Sequence, residues 1–375
     1  MRLLIAVFVS LFSLGALAQS VPPPALAANA WVLIDHATGQ TLAAKDPDTR
    51  IEPASLTKLM TAYLTFAAMK AGTITADQVV PVSERAWRME GSRMFIEPRK
   101  PVTVDELIKG VIVQSGNDAC VALAELIAGS EEGFAALMNR EAQRLGMANT
   151  HFTNSTGLPD PQLYTTAGDL ARLASAIVRD FPEYYSLYSM KEFTYNGIRQ
   201  PNRNRLLYMD PTVDGMKTGH TSTAGYCLVS TAERGPRRLI SVVLGAASDT
   251  VRAQESLKLL NYGFQFFETV RLYKADEALS QFRVWKGKLN ELPVGFPQDF
   301  VISLPKEAAD KIQVTLESRQ PLVAPLDKGQ EVGTLTLTVD GKPAGQYPVV
   351  ALQEVPVAGF FGRLWDAIVM LFKQL

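Results

Sequence analysis

A serine and a lysine lie three residues apart in the stretch EPASLTKLMTAYLTF, residues 52–66. On a helix, Ser55 and Lys58 would share one face, with their Cβ atoms about 5–6 Å apart. A serine hydroxyl becomes a good nucleophile only when a neighbouring base removes its proton. Burial and nearby cations lower the pKa of a lysine, so Lys58, set among apolar residues, could be that base. The pair predicts covalent acyl-transfer chemistry.

The Ser-x-x-Lys spacing is weakly specific on its own, because a second copy, with a proline inside it, occurs at Ser303–Lys306. An alternative interpretation is that Lys58 belongs to a core helix and extends its amine to solvent along its aliphatic stem. The two interpretations differ in whether the Lys58 amine is buried beside Ser55 or exposed.

Two later segments supply further groups suited to acyl transfer. The triplet SGN at residues 115–117 interrupts a helical apolar pattern, which predicts a turn that presents a hydroxyl and an amide. The run KTGHT at residues 217–221 precedes an apolar strand pattern. It offers a second cation, hydroxyls and a glycine that allows close backbone approach. A helix, a loop and a strand edge would each contribute one part of a site.

Together, these three segments resemble the signature of low-molecular-mass penicillin-binding proteins, specifically D-alanyl-D-alanine carboxypeptidases of the penicillin-binding protein 5/6 type. The likeness extends over nearly the whole chain after its first residues. It includes the segments PASLTKLMT, QSGNDACVALAE, VDGMKTGHT, ESLKLLNYGFQFFET and LQEVP. The triplet is Ser-Gly-Asn, whereas class A β-lactamases usually carry Ser-Asp-Asn.

The resemblance implies a covalent mechanism that needs no cofactor or metal. Ser55 would attack the penultimate D-alanine carbonyl of a peptidoglycan stem pentapeptide, with Lys58 as its base. Ser115 would relay a proton to the departing D-alanine, and water would then release the shortened peptide. β-Lactam antibiotics would acylate the same serine and leave slowly. Seven further residues are expected to bind substrate or to shape its pocket: Asn117, Lys217, Thr218, Gly219, His220, Arg203 and Arg252.

By resemblance to this family, Asn117 would hold the peptide amide, and Lys217 would raise the positive potential beside Ser115. Thr218 and the strand backbone would bind the terminal carboxylate. Backbone N–H groups of the nucleophile and of His220 would form an oxyanion hole, a contribution of roughly 3–4 kcal/mol per donor. Arg203 and Arg252 resemble carboxylate-side arginines of the family, and a planar guanidinium suits a carboxylate. The alternative is that both are ordinary surface arginines without a role in binding.

The elements that must position these groups divide the chain into two domains. Residues 26–271 combine helical apolar spacing with an antiparallel strand pair, which predicts an α+β fold. By resemblance this is a β-lactamase/transpeptidase-like domain, an antiparallel sheet flanked by helices. Residues 272–357 contain short alternating strands and an Asp340-Gly341 turn, which predict a small all-β sandwich.

The two ends of the chain carry apolar segments of different kinds. Residues 1–18 have one arginine, a continuous apolar run and a final Ala-Leu-Ala, as is typical of a cleaved secretory signal; an uncleaved anchor is the alternative. Residues 358–375 predict an amphipathic helix with an aromatic-rich apolar face that attaches to the membrane surface. Packing of that face on the β domain is the alternative. We therefore expect a periplasmic protein attached peripherally to the outer face of the inner membrane.

Composition narrows the classes of partner. The 375 residues carry a formal net charge of −1 and no long basic run, so we expect no nucleic-acid partner. Cys120 and Cys227 lie in apolar stretches and are expected to be buried free thiols, with a disulfide as the alternative. His36 and His151 lack ligand-like spacing and the sequence contains no metal motif, so we expect no metal site.

Other functions share parts of this signature. A β-lactamase uses the same acylation but hydrolyses the adduct quickly; those enzymes usually lack an extra β domain and an amphipathic tail. A DD-endopeptidase would cut cross-links with the same chemistry. A non-catalytic wall-binding protein could retain the fold, although the intact set of reactive groups argues against it.

Overall fold

The computed structural model describes residues 21–373, which divide into two compact units, Pro23–Phe266 and the part from Phe267 onward. The predicted signal segment, residues 1–18, lies outside the described residues, as do residues 374 and 375. The sequence pattern places the domain boundary at 271/272, at the end of a continuous helical pattern. In the structure the strand Phe267–Tyr273 already pairs with a strand of the second unit, so the chain divides at Phe267.

The first unit is built around a five-stranded antiparallel sheet with the strand order β2-β1-β7-β6-β5; β3 and β4 form a separate hairpin. Its strands are β1 Ala30–Asp35, β2 Thr41–Lys45, β3 Glu192–Tyr195, β4 Ile198–Pro201, β5 Val213–Thr221, β6 Gly225–Arg234 and β7 Arg237–Ala246. Its helices are α1 Lys58–Lys70, α2 Glu84–Trp87, α3 Val104–Lys109, α4 Asn117–Ala128, α5 Glu131–Arg144, α6 Ala167–Asp180, α7 Pro182–Tyr185, α8 Leu206–Met209 and α9 Asp249–Phe266.

Helices cover both faces of this sheet, so its central strands are buried almost throughout. On one face Ile240 and Val242 of β7 join the main apolar core of the unit. On the other face Leu239 packs so closely on α9 that a Cβ at Gly263 would meet it at 2.6 Å. Alternate residues of a strand point to opposite faces, so both sets must be apolar. The predicted antiparallel sheet flanked by helices is confirmed.

Two short segments of non-α helical structure lie near β5. Residues Ala54–Thr57 form a 3₁₀ turn that continues directly into α1. The second follows α3, where Gly110–Gln114 form a π-helical segment that ends at Ser115, a residue in the left-handed region with φ +66°. Single-turn π segments are frequent at functional sites. The predicted interruption is therefore observed at Ser115 and Gly116, and α4 already begins at Asn117, the last residue of the triplet.

The second unit contains a six-stranded sheet with the order β12-β14-β15-β10-β9-β13 and a separate pair, β11-β8. Asp340 and Gly341, at φ +52° and +72°, make the predicted two-residue hairpin turn between β14 and β15. The predicted all-β domain and the C-terminal helix are confirmed. The elements are β8 Phe267–Tyr273, β9 Ser280–Trp285, β10 Glu291–Gly295, β11 Phe300–Pro305, β12 Ile312–Ser318, β13 Leu322–Val323, β14 Glu331–Val339, β15 Lys342–Ala351 and α10 Phe360–Lys373.

Candidate active site

Ser55 and Lys58 lie together at the start of α1, one in the 3₁₀ turn and the other as the first helical residue. Lys58 Nζ donates a hydrogen bond to Ser55 Oγ over 3.0 Å, and a second one to the carbonyl oxygen of Thr156 over 2.5 Å. The lysine is only 1% exposed. Its amine is therefore buried against the serine hydroxyl, and the alternative of an amine extended to solvent is wrong.

The surroundings of Lys58 favour its neutral form. Burial is the largest cause and lowers the pKa of the amine to about 8, helped by the positive charge of Arg203, while Cys120 and Asp118 act in the opposite direction. At pH 7 an amine with that pKa is neutral in about one molecule in ten, against roughly one in three thousand for an ordinary lysine. A usable fraction of the protein thus holds a free base next to Ser55 Oγ.

A second lysine–hydroxyl pair faces the first. Lys217 of β5 donates to Ser115 Oγ over 2.9 Å and to the carbonyl oxygen of Thr218 over 3.1 Å. Both Lys217 and Ser115 are 3% exposed. Burial is again the main cause that lowers the pKa of Lys217, and the charges of Lys58 and Arg203 lower it further. The effect of the Lys58 charge on Lys217 indicates that the two buried amines lie in one poorly solvated region.

Asn117 opens α4 beside this pair, and its groups are held by the loop that precedes α3. Its backbone N–H donates to the carbonyl oxygen of Ser92 over 2.7 Å, and its side-chain Nδ2 donates to that of Glu90 over 2.6 Å. One side-chain N–H is thus engaged, while the side-chain oxygen is of the kind that accepts a hydrogen bond from a ligand amide. Asn117 is 4% exposed.

The strand that carries Lys217 forms the outer edge of the five-stranded sheet among the described residues. Thr218 is buried, whereas His220 is exposed and its ring lies 4.0 Å from that of Tyr226. Gly219 lies where a Cβ would fall 3.1 Å from the Pro53 carbonyl oxygen, so a larger residue would push the strand from the Ser55 turn. An edge strand next to a nucleophile can bind an extended peptide by its backbone.

The two predicted arginines occupy different positions. Arg252 is buried, and its guanidinium donates to the carbonyl oxygens of Gly219 and Cys227 over 3.1 and 3.4 Å and also pairs with Asp249. It therefore supports the end of β5. Arg203 has an exposed side chain, but its charge reaches both buried lysines, where it lowers their pKa.

Sequence reasoning missed the loop that fixes the amine of Lys58. Glu131 Oε1 accepts hydrogen bonds from the backbone N–H and the hydroxyl of Ser155 at 3.1 and 2.7 Å. Thr61 Oγ1 donates to the Ser155 carbonyl oxygen over 2.6 Å, and the next carbonyl, that of Thr156, accepts from Lys58. The signal in the sequence was the polar run NSTG at 154–157 between two amphipathic helices.

The predicted buried free thiols are confirmed, since Cys120 and Cys227 are both buried and unpaired with each other. Within residues 21–373 the side chains of His, Cys, Asp and Glu form no group of three or more arranged to hold a metal ion. The site therefore consists of a nucleophile with an adjacent weak base, a second hydroxyl–lysine pair, the side-chain amide of Asn117 and an edge strand. This set can perform acyl transfer to and from a serine.

Comparison with known proteins identifies the family in which this arrangement of residues is found. The family described as D-alanyl-D-alanine carboxypeptidase matches residues 17–248, more than half of the chain. The chain belongs to this family. The C-terminal domain described for penicillin-binding protein 5 matches residues 267–357, so the second unit of this carboxypeptidase has a named counterpart as well.

Individual relatives of this carboxypeptidase agree with the family assignment. It is 46% identical over 377 residues to D-alanyl-D-alanine carboxypeptidase DacC of Escherichia coli (strain K12), an alignment that covers 98% of this chain and 94% of the relative. Penicillin binding protein 5 from Haemophilus influenzae matches with a TM-score of 0.87 at 43% identity, covering 90% of this chain and 99% of that one. Penicillin-Binding Protein D2 from Listeria monocytogenes, in its ampicillin-bound form, matches with a TM-score of 0.60 at 32% identity over 65% and 100% of the two chains.

The predictions of family, fold class and enzyme class are therefore confirmed: the chain has the fold of these penicillin-binding proteins and is a serine D-Ala-D-Ala carboxypeptidase by family. Cell-wall enzymes of this kind act on peptidoglycan, and an antibiotic-bound relative agrees with the expected β-lactam partner.

Proposed function

We propose that this protein removes the terminal D-alanine from peptidoglycan stem pentapeptides through an acyl-enzyme on Ser55. The supporting observation is the buried amine of Lys58, which lies 3.0 Å from Ser55 Oγ and is held there by the Thr156 carbonyl oxygen. Lys58 takes the hydroxyl proton as Ser55 Oγ bonds to the penultimate D-alanine carbonyl carbon. The C–N bond to the last residue then breaks, and its nitrogen receives a proton through Ser115.

The remaining residues bind the peptide and stabilise charge in this proposal. Asn117 holds the peptide amide, and Lys217 supports Ser115 and adds positive potential. Thr218 and Arg203 bind the terminal carboxylate, to which an exposed guanidinium can offer two donors. Arg252 contributes through the Gly219 carbonyl that it holds. Backbone N–H groups of the nucleophile and of His220 form the oxyanion hole.

Water then cleaves the Ser55 ester and regenerates the serine. A β-lactam follows the same first step, since its strained amide carbonyl occupies the place of the D-alanine carbonyl, and its ring-opened adduct leaves slowly. A β-lactamase or a DD-endopeptidase would share the acylation step. The lifetime of the antibiotic adduct and the substrate cleaved separate these activities.

The purified full chain is incubated with a pentapeptide ending in D-Ala-D-Ala, and free D-alanine is measured together with the half-life of a fluorescent penicillin adduct. We expect D-alanine release, a long-lived adduct on the wild type and neither in Ser55→Ala. A matched control is Ser303→Ala, which alters the other Ser-x-x-Lys copy, located in β11. Absence of labelling in the wild type would end the proposal, and rapid antibiotic turnover would identify a lactamase.

We also propose that α10 attaches the protein to the membrane surface, on the periplasmic side of the inner membrane, after export directed by residues 1–18. The helix contacts its own unit through a polar side: Asp366 is 7% exposed and accepts a hydrogen bond from the backbone N–H of Lys286. Large apolar side chains on the rest of the helix are exposed: Phe360, Phe361, Leu364, Trp365, Ile368, Leu371 and Phe372.

This orientation argues against the alternative in which the apolar face packs on the β domain. An exposed apolar face rich in aromatic residues suits the interface between lipid headgroups and acyl chains. None of the helices in the described part of the chain combines the length and apolarity needed to cross a bilayer.

Vesicle co-sedimentation of the full chain and of a chain ending at Ala358 tests the attachment. We expect the full chain to pellet with vesicles and the truncated chain to stay in the supernatant, with unchanged D-alanine release. Trp365→Ser with Leu364→Ser should weaken binding, whereas Arg363→Ser, on the same helix, should retain most of it. Equal sedimentation of the full and truncated chains would contradict the proposed attachment.

A further inference from the structure

The carboxylate of Asp118 binds a run of backbone N–H groups in a distant loop. Its Oδ1 accepts from Met94 N at 3.0 Å, and its Oδ2 accepts from Phe95 N at 2.8 Å and Ile96 N at 3.2 Å. Oδ1 also accepts from Ala119 N at 2.9 Å. Asp118 is 1% exposed, and four backbone donors surround its charge. The carboxylate is therefore stabilised by the loop backbone, and the loop by the carboxylate.

The loop held in this way has a strained backbone. Phe95 has φ +71°, a conformation that a bulky residue rarely adopts, and the residue is 41% exposed, so its ring is only partly buried. Strained residues persist only where the surroundings enforce them, and they cluster at functional sites. The hydrogen bonds to the Asp118 carboxylate from Phe95 and its two neighbours help to hold this turn.

The same loop fixes Asn117. The carbonyl oxygens of Glu90 and Ser92 accept from its side-chain Nδ2 and its backbone N–H. Gly91, at φ +78°, approaches so closely that a Cβ there would lie 2.9 Å from Asn117 Nδ2. Movement of the loop must therefore move the amide group of Asn117.

The contact also accounts for the central glycine of the Ser-Gly-Asn triplet. A Cβ at Gly116 would lie 2.9 Å from Asp118 Oδ1 and 3.2 Å from Met94 N. A side chain at this position would push the loop away from the carboxylate that holds it. The glycine and the aspartate that flank Asn117 therefore serve the same loop contact.

We propose that Asp118 is a positioning residue for substrate binding: its carboxylate holds the loop of residues 90–96 against Gly116, and the loop in turn orients the Asn117 amide toward the amide group of the acyl donor. This inference rests on the proposed role of Asn117. It predicts that Asp118, which touches no substrate, controls selectivity for donors that carry an amide next to the reacting carbonyl.

Two β-lactams separate this role from a purely structural one. Benzylpenicillin carries a side-chain amide that Asn117 would bind, whereas 6-aminopenicillanic acid has the same ring system with a free amine in its place. Loss of stability or of Ser55 geometry slows acylation by both compounds. Misorientation of Asn117 slows acylation by benzylpenicillin alone, so the ratio of the two acylation rate constants is the readout.

The test compares full-length wild type, Asp118→Asn and the control Asp169→Asn. Asp118→Asn keeps the shape but places an NH₂ group against N–H donors of the loop. Asp169 is a buried carboxylate that accepts from Asn149 N at 2.9 Å and from Thr150 Oγ1 at 2.8 Å, and it lies on α6. We expect Asp118→Asn to lower the benzylpenicillin rate constant by about 10- to 100-fold and the 6-aminopenicillanic acid rate constant by less than about threefold. Asp169→Asn should leave the ratio unchanged.

A second variant keeps the test decisive if Asp118→Asn is poorly folded. Phe95→Gly removes the backbone strain, because glycine adopts positive φ readily. Added to Asp118→Asn, it should bring the ratio of the benzylpenicillin to the 6-aminopenicillanic acid rate constant part of the way back to the wild-type value. Equal slowing of both β-lactams by Asp118→Asn, or a ratio that Asp169→Asn changes as much, overturns the inference. Failure of the wild type to react with either compound would instead refute the proposed function.

Discussion

Gly157 lies directly against the Ala54 peptide: a Cβ at residue 157 would fall 1.8 Å from the Ala54 carbonyl oxygen. Ala54 immediately precedes Ser55 and has φ +48°, a left-handed conformation that is uncommon for alanine. Gly157 immediately follows Thr156, whose carbonyl oxygen accepts from Lys58. One loop thus supports the backbone beside the nucleophile and the amine of its base.

Substitution of Gly157 should therefore impair acylation more than stability alone explains. Gly157 has φ +83°, and the methyl group of Gly157→Ala would overlap the Ala54 peptide. Either the loop or the Ser55 turn must therefore move. We expect the acylation rate constant for fluorescent penicillin to fall by about 100-fold, because a displacement of about 1 Å at a reacting group has that effect.

The matched control for Gly157 is Gly146→Ala. Gly146 has a similar φ of +73°, but a methyl group added there would meet no atom within 4 Å, so this variant isolates the cost of the backbone conformation. That cost is about 1–2 kcal/mol of unfolding free energy, with acylation unchanged. If both variants slow acylation equally, contact with Ala54 is not the cause.

The pH dependence of acylation should follow the neutral fraction of Lys58. Only the neutral amine can accept the Ser55 proton, and burial lowers its pKa to about 8. Below that value the rate constant should rise about tenfold per pH unit, and above it the profile should level. Stopped-flow acylation between about pH 6 and pH 9.5 measures the midpoint, and a profile without a rise toward pH 8 would contradict Lys58 as the base.

Both cysteines should resist alkylation in the folded protein. The thiolate is the reactive form, and burial raises the pKa of Cys120 to about 12 and that of Cys227 to about 11. We expect intact-mass analysis to show no adduct after iodoacetamide treatment of the native protein and two adducts after treatment in denaturant without reductant. A mass shift in the native protein, or no adduct after unfolding, would disagree with buried free thiols.

The sequence predicted side chains that the structure brings into contact. Ser55 and Lys58 could be paired because helical spacing alone brings residues three apart together. Ser115 and Lys217 are 102 residues apart, yet they form a hydrogen bond. Spacing does not predict that contact; it was anticipated only through the resemblance of the three motifs to a known family.

Groups that act through the backbone were not predictable in the same way. The polar run at residues 154–157 indicates a loop, but Thr156 contributes its carbonyl oxygen, which every residue possesses, so the residue type does not predict its contact with Lys58. Asp118 was visible beside the Ser-Gly-Asn triplet, but its partners are backbone N–H groups more than twenty residues upstream. The division of the chain at Phe267 differs from the sequence pattern for a related reason: FETVRLY, residues 267–273, continues an apolar pattern compatible with either a helix or a strand, and only pairing with β11 decides.

The charge of Arg203 should help to set the pH at which Lys58 becomes a base. That charge lowers the pKa of Lys58, so Arg203→Gln should move the acylation midpoint to higher pH. Loss of a carboxylate contact alone would scale the whole profile down without moving its midpoint, so the shift distinguishes the two roles. Solvent screens a side chain as exposed as this one, and the shift should therefore diminish as salt is added.

Arg199→Gln is the matched control, because Arg199 lies on the adjacent strand β4, pairs with Glu192 and does not influence the pKa of Lys58. We expect its profile to overlay that of the wild type. Rate constants measured at low and at high salt across the pH range provide the comparison. If Arg203→Gln does not move the midpoint at low salt, the Arg203 guanidinium acts on the substrate alone. Burial by itself would then lower the pKa of Lys58 enough for the amine to take the Ser55 proton.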